Sequence, residues 1–295
     1  MTTAVRESFF ICPECRQPLT VARECLCGFS LRESNGILHL MTEEDMADMR
    51  PFLQAFEEVR RAEAWGGDDL DLPFRAKRHR DIWDIRQRTF RVFQSIADSI
   101  GRGLAVDVGA GNCWMTRYLT QWGFEAIAID INDDPVDGLQ AGRKFIDEGA
   151  RFLRIRTRME KLPFHSCSIQ LLALNASFHY THDFKAALCE FDRVLAPGGM
   201  IAIIDTPFYE NNGDGERMLA ERVKSFRDKY GMPETLARSS RYLTFRELEE
   251  LAASFRLKCH VRKVWPGFKR KCEEVRSGFL GQRIAQFPVV LLERE

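Results

Sequence analysis

The chain lacks an excess of charge of either sign. Its 295 residues carry 43 Lys and Arg against 43 Asp and Glu. No whole-surface basic field is therefore available for nucleic acid, and only a local patch could serve. Any apolar run near the ~20 residues that a membrane helix needs is missing. The start has no signal-peptide h-region or cleavage site, and Glu7 precedes Cys12 there. These absences set the expectation of a soluble, cytoplasmic protein. Internal repeats and low-complexity tracts are also missing. With 45% hydrophobic and 29% charged residues, neither disorder nor a collagen-like fibre fits. Nine cysteines, an odd number without an export signal, argue against a disulfide framework.

The cysteines that are present are unevenly placed. Cys12-Pro-Glu-Cys15 is followed, after nine residues, by Cys25-Leu-Cys27-Gly. Two short chelating pairs can supply the four thiolates of a tetrahedral zinc site. Residues 1–45 are too short for a conventional core, and a metal supplies the folding free energy that such a module lacks. A redox Cys-x-x-Cys fits less well, because no thioredoxin-like strand precedes it.

Residues 46–100 repeat apolar positions at helical spacing, first at Met46, Met49, Leu53, Phe56 and Val59, then at Ile82, Ile85, Phe93, Ile96 and Ile100. Gly66-Gly67-Asp68-Asp69 separates the two helices. After Gly103 strands alternate with helices. Strands are expected at 104–108, 125–130, 151–156, 169–174 and 200–205, and helices at 114–121, near 135–145 and at 184–195. That order implies an α/β fold with a mostly parallel sheet. Helices follow at 218–229 and 244–254, the second opened by the capping box Thr244-x-x-Glu247. Two closing strands, 257–264 and 287–292, are expected to pair antiparallel at the sheet edge.

Val106-Asp107-Val108-Gly109-Ala110-Gly111-Asn112 follows a strand and opens a helix, and Asp130 ends the next strand. Glycines let the backbone approach a ligand, and an acid at the second strand end can accept both ribose hydroxyls. A dinucleotide fold wants a third glycine against the pyrophosphate. Trp114 stands there instead, which disfavours NAD. The stretch Val106–Leu119 resembles motif I of class I S-adenosylmethionine-dependent methyltransferases. Glu160-Lys-Leu-Pro-Phe164 resembles that family's turn after motif II, and Arg193–Gly199 its motif before strand five. Asn175-Ala-Ser-Phe-His179-Tyr180 sits where the family ends strand four. Residues 8–41, with Cys-Pro-x-Cys and Asn35-Gly36-Ile37-Leu38, resemble the small zinc ribbon at the head of many bacterial methyltransferases.

The resemblance implies a Rossmann-like domain at 101–295 with a cover insertion at 208–241, a ribbon at 1–45 and a helical cover at 46–100. It implies S-adenosylmethionine and a structural zinc on Cys12, Cys15, Cys25 and Cys27, with no metal catalysis. Asp107, Gly109 and Gly111 would lie along the methionine part, Asp107 towards its amino group. Asp130 would bind the ribose diol and Ile131 would pack on adenine. Met159 would offer its N–H to the adenine edge, and Asn175 would cap the methionine side. Arg158 replaces the family's usual acid before Met159, so that Glu160 becomes the substitute contact, and Cys113 replaces a common third glycine. His179, then Tyr180, are the candidates for a base beside the methyl group, with His182, Asp205 and Tyr209 behind them. The expected acceptor is a small molecule in a largely apolar pocket roofed by 46–100 and 208–241, whose aromatics include Trp65, Phe74, Trp83, Phe90, Phe208, Tyr209, Phe226 and Tyr230. Two alternatives stand beside it: an RNA base, reached through Arg75–Arg80 and Lys269–Lys271, and a non-catalytic binding or scaffold role.

Overall fold

The structure is a computed structural model and describes residues 10–20, 23–66, 71–231, 241–279 and 281–294. The expected break at 67–69 and residues 232–240 of the 208–241 cover lie outside the described residues. The N-terminal module contributes a hairpin, β1 (Arg32–Ser34) and β2 (Ile37–His39). Its two-residue turn, Asn35-Gly36, has φ of 53° and 69°. Positive φ at both central residues is the hairpin turn whose twist matches the strands, and Asn-Gly is the pair that adopts it most readily. Helices α1 (Glu43–Ala62) and α2 (Arg80–Ile100) follow. The α/β core then runs β3 (Leu104–Val108), α3 (Trp114–Gln121), β4 (Glu125–Asp130), α4 (Arg143–Asp147), β5 (Phe152–Arg156), β6 (Ile169–Asn175), α5 (Phe184–Val194) and β7 (Leu195–Ile204). Beyond it come β8 (Phe208–Tyr209), α6 (Asn212–Tyr230), β9 (Leu243–Thr244), α7 (Phe245–Ser254), β10 (Leu257–Arg262), α8 (Phe268–Phe279) and β11 (Val289–Arg294).

The main sheet has nine strands in the order β1-β2-β5-β4-β3-β6-β7-β11-β10. Strands β2 to β7 are parallel, while β11 and β10 close the far edge antiparallel, as expected. The strands alternate in size as well as in direction. Val106, Val108, Ile127 and Ile129 enter one core cluster. Ala105, Ala126, Ala128 and Ala173 enter the other, beneath Phe90 and Phe93 of α2. Small residues on one face leave room for the aromatic stripe of α2, which packs on β7 and β11.

The capping box at α7 is present, with Thr244 and Glu247 bonded reciprocally. The stretch near 135–145 is not one helix. Asn132 Oδ1 accepts from the Asp134 N–H, and Asp134 Oδ1 accepts from the N–H groups of Val136 and Asp137. These short polar side chains hold the backbone in turns, so only a 3-10 turn and the short α4 form. Nor is the N-terminal module separate. Ile37–His39 pair in parallel register with Arg154–Arg156, and Arg154 donates to the carbonyls of Asn35 and Leu139 at 2.8 and 3.0 Å.

Candidate functional site

The strand order turns back at β3, which has β4 on one side and β6 on the other. In such sheets the crevice lies beyond the carboxyl ends at this reversal. The loop 109–111 leaves β3 there. Gly109 has φ +73°, and a Cβ on it would sit 2.3 Å from Cβ of Ser177, on the loop that leaves β6. Only glycine lets those two loops meet. Gly111, at φ +51°, donates its N–H to Asp130 Oδ2 at 2.8 Å, and the Asn132 N–H donates to Oδ1 at 2.8 Å. Two backbone donors thus fix the Asp130 carboxylate at the end of β4. Each oxygen keeps a lone pair for a further donor. Cys113 adopts φ +66° and is wholly buried, so the cysteine takes a left-handed position that glycine commonly fills.

Asp107 and Asn175 are among the buried side chains here that have an unanswered oxygen. Asp107 Oδ2 accepts from the Thr116 hydroxyl at 2.6 Å, whereas Oδ1 has no partner among the described residues. Burial pushes Asp107 up to about 7. Asn175 Oδ1, at the end of β6, is likewise buried without a partner. Such atoms are costly to leave bare and mark where a ligand group can bind.

The crevice opens into a cavity of about 990 Å³ bounded by α1, α2, α6 and the strand-end loops. Gly109, Gly111, Asp130, Ile131, Met159, Glu160, Asn175, His179 and Tyr180 all line it. Asp107 alone of the expected cofactor residues lies behind the wall, under the glycine loop. His179 and Tyr180 sit on a short 3-10 turn after β6. Burial, followed by the Arg222 and Arg86 guanidinium groups, holds His179 down at about 3, so its ring is neutral. Its Nδ1 has no partner. Tyr180 meets Phe56 and Phe52 of α1, with ring centroids 5.7 and 6.2 Å apart. Glu160 holds this loop: Oε1 accepts from the Thr181 hydroxyl at 2.5 Å and the His182 N–H at 3.1 Å. Asp205 at the end of β7 accepts from Thr89 of α2 at 2.6 Å, and burial raises it to about 6.

The cover is in place, although its wall is less apolar than expected. Trp65, Trp83 and Tyr209 line the cavity. Phe90 and Phe208 are wholly buried in the two cores, and Phe226 and Tyr230 pack on Val59 of α1. Arginines fill much of the remaining wall: Arg60, Arg86, Arg217, Arg222, Arg270 and Arg283. Single charged residues carry no periodic signal, so the sequence did not group them. The two basic clusters are largely exposed, yet part of each reaches the cavity. Lys77, Arg78 and His79 of the first, and Arg270 of the second, line the cavity. His79 stacks on Trp65 at 3.8 Å. Arg158, the departure from the family pattern, ties down α1. Its Nη1 donates to Asp45 Oδ1 at 3.2 Å and to Asp48 Oδ2 at 3.1 Å.

In the N-terminal module the four Sγ atoms of Cys12, Cys15, Cys25 and Cys27 lie within 4.8 Å of one another. Cys12 and Cys27 are 3.5 Å apart, Cys15 and Cys25 3.3 Å. Zinc–sulfur bonds of about 2.3 Å in a tetrahedron place sulfurs about 3.8 Å apart, so the set fits that ion. Two tight turns present the pairs: the Arg16 N–H donates to the Cys12 carbonyl, and the Gly28 N–H to that of Cys25.

Residues 106–203 match the family described as a methyltransferase domain. A malonyl-[acyl-carrier protein] O-methyltransferase from Pseudescherichia vulneris is 26% identical over 167 residues, 50% of this chain and 64% of that protein. The match thus spans less than two thirds of that relative's length. Among solved structures, the YcgJ protein of Bacillus subtilis aligns over 71% of this chain and 99% of its own, with a TM-score of 0.55 at 15% identity. A geranyl diphosphate C-methyltransferase from Streptomyces coelicolor, solved with Mg2+, geranyl-S-thiolodiphosphate and S-adenosylhomocysteine, covers 85% of this chain and 98% of its own, with a TM-score of 0.54 at 13% identity. With the glycine loop, the acidic end of β4 and the strand order all in agreement, residues 106–203 form a methyltransferase domain within a Rossmann-like fold of the class I methyltransferase type.

Proposed function

We propose that this protein transfers a methyl group from S-adenosylmethionine to a small-molecule acceptor held in the cavity beneath α1, α2 and α6. The observation that carries this reading is the Asp130 carboxylate, locked by the Gly111 and Asn132 N–H groups with capacity left for a diol. The bound donor supplies an electrophilic methyl on a sulfonium, taken by an acceptor lone pair in line. Asp130 binds the ribose hydroxyls and Ile131 packs on adenine. The Met159 N–H meets the adenine edge, and Glu160 meets the adenine amine through Oε2, which Arg158 Nε also approaches at 3.6 Å. Gly109 and Gly111 let the backbone follow the methionine part, with Asp107 beneath it and Asn175 Oδ1 as a further acceptor. Neutral His179 can accept a hydrogen bond or proton from the acceptor at Nδ1, and Tyr180 shapes the wall beside it. The helical cover keeps water out and aligns the reactants. Malonyl-acyl-carrier protein and geranyl diphosphate, named for two of the relatives, are unlike each other, so family likeness does not choose the acceptor. The four cysteines hold a zinc that folds the N-terminal module and takes no part in transfer.

Calorimetric titration with S-adenosylhomocysteine tests the reading. One site per chain is expected, with Asp130→Ala weakening it roughly ten- to a hundredfold, the loss typical of hydrogen bonds to a charged group. No binding by the parent protein would leave the non-catalytic role; unchanged affinity in the variant would remove Asp130 from the site.

A further inference from the structure

Several arginines at the cavity are held by acids or carbonyls inside the protein. Arg60 pairs with Asp137, Arg158 with Asp45 and Asp48, and Arg217 with Asp214. Arg270 donates to the Ala285 carbonyl. Arg86 and Arg222 differ: their contacts among the described residues are aromatic faces, not hydrogen bonds or ion pairs. The Arg86 guanidinium lies 4.7 Å from the Trp83 ring centroid and 5.7 Å from that of Trp65. Arg222 lies 4.8 Å over Phe226, and its Nε is buried without a partner.

The two come from different helices and both line the cavity that His179 lines, and the charge of each lowers His179. Asp205 and Asp137 act on Arg86, neither within ion-pair distance; Asp137 is paired with Arg60, while Asp205 Oδ1 accepts from Thr89 and Oδ2 has no partner among the described residues. With Arg60 and Asp137 answering each other, Arg86 and Arg222 are left with no acid within ion-pair distance among the described residues. Guanidinium groups stay protonated even when burial disfavours it, as it does at Arg86. A desolvated cation without an anion is costly, and aromatic faces answer only part of that cost. The planar fork of N–H donors matches carboxylate and phosphate oxygens in pairs.

We propose that Arg86 and Arg222 grip an anionic oxygen group of the methyl acceptor, a carboxylate or a phosphate, and so decide which molecules are methylated. The proposal rests on the reading of this cavity as an acceptor pocket. The anion is a handle, distinct from the atom that takes the methyl group. With the handle held beside His179, the rest of the acceptor lies against Phe52, Phe56 and Tyr180.

The test uses the full chain saturated with S-adenosylhomocysteine and four probes: benzoate, phenyl phosphate, benzyl alcohol and benzylamine. Calorimetry should show binding of at least one of the two anions and none of the neutral or cationic probe at the same concentration. The tighter anion separates carboxylate from phosphate. Arg86→Gln and Arg222→Gln should each lower that affinity roughly ten- to a hundredfold, as expected for one charge-assisted contact. Their affinity for S-adenosylhomocysteine should be unchanged, which also shows that they fold. Should a glutamine variant fail to fold, Arg86→Lys or Arg222→Lys, which keeps the charge and loses the fork, should still bind the anion more weakly than the parent. The proposal is overturned if neither anion binds the loaded protein, if benzyl alcohol or benzylamine binds as well, or if the variants bind the anion like the parent. Failure of the parent to bind S-adenosylhomocysteine overturns the underlying reading instead.

Discussion

Asp107 and Asp130 are both acids at strand ends, and their surroundings give them different work. Asp130 takes two backbone N–H groups and faces the cavity. Asp107 is 1% exposed, with the Thr116 hydroxyl as its hydrogen-bond donor and Asp130 and Cys113 as its charged or ionisable neighbours. Burial pushes it up to about 7. A folded-state value above the ordinary 3.8 means that ionising Asp107 costs the unliganded protein stability, increasingly as pH rises from about 4 to about 7. A ligand ammonium above it favours the ionised form, so binding releases a proton below pH 7. Affinity for S-adenosylhomocysteine should therefore rise with pH, by up to about tenfold per unit, and level off above about 7. Asp107→Asn should flatten the profile. A parent profile that is flat between pH 5.5 and 8 would contradict the proposed role.

At the scale of elements, α1 is clamped at both ends by charge. Asp45 in its first turn accepts from Lys161 at 2.8 Å and from Arg158. In its last turn Arg60 pairs with Asp137, and Arg61 with Asp134 at 3.0 Å. Acids at the start and bases at the end also suit the helix dipole. The clamps join the loops after β5 and β4 to the cover, which sets the roof height over the site. Arg158→Ala should cost about 1–3 kcal/mol, because Asp45 is 5% exposed on its side chain and keeps Lys161 as its cation, with the Thr42 hydroxyl as a neutral donor. Urea unfolding measures the loss, and amide exchange should quicken across 43–62 ahead of the sheet. Uniform exchange would show that α1 is held by its apolar contacts alone.

For the whole molecule, the N-terminal module and the catalytic-type domain share one sheet. The Leu40 N–H donates to the Arg156 carbonyl and the Ile11 N–H to that of Pro163. Phe10 packs on Phe164, and Arg16 reaches Glu190 at 2.8 Å. Metal loss therefore reaches the parallel sheet through β2. Purified protein should contain one zinc per chain by elemental analysis. Chelation should lower the midpoint of a single unfolding transition by roughly 2–4 °C per kcal/mol lost. A separate low-temperature transition, with the main one unmoved, would show that the module and the domain are uncoupled.

Local rules fixed much of this protein from its sequence. Short apolar runs mark β3, β4 and β6, which are buried on both faces, and a period of 3.6 marks α2 and α5, each of which buries one face. The Gly109–Gly111 loop, Asp130 and the four cysteines are legible because their chemistry needs short spacings along the chain. Asn35-Gly36 signals a hairpin in the same way, although it does not say that β2 will join β5. Packing alone decided that strand addition, as it did the placing of Arg86 and Arg222, from α2 and α6, on the cavity that His179 lines. A lone arginine looks the same in a sequence whether its partner is water, a carboxylate or an aromatic ring. Only the folded chain removes the water and shows which cations lack an anion, since burial and long-range approach are properties of the packed whole.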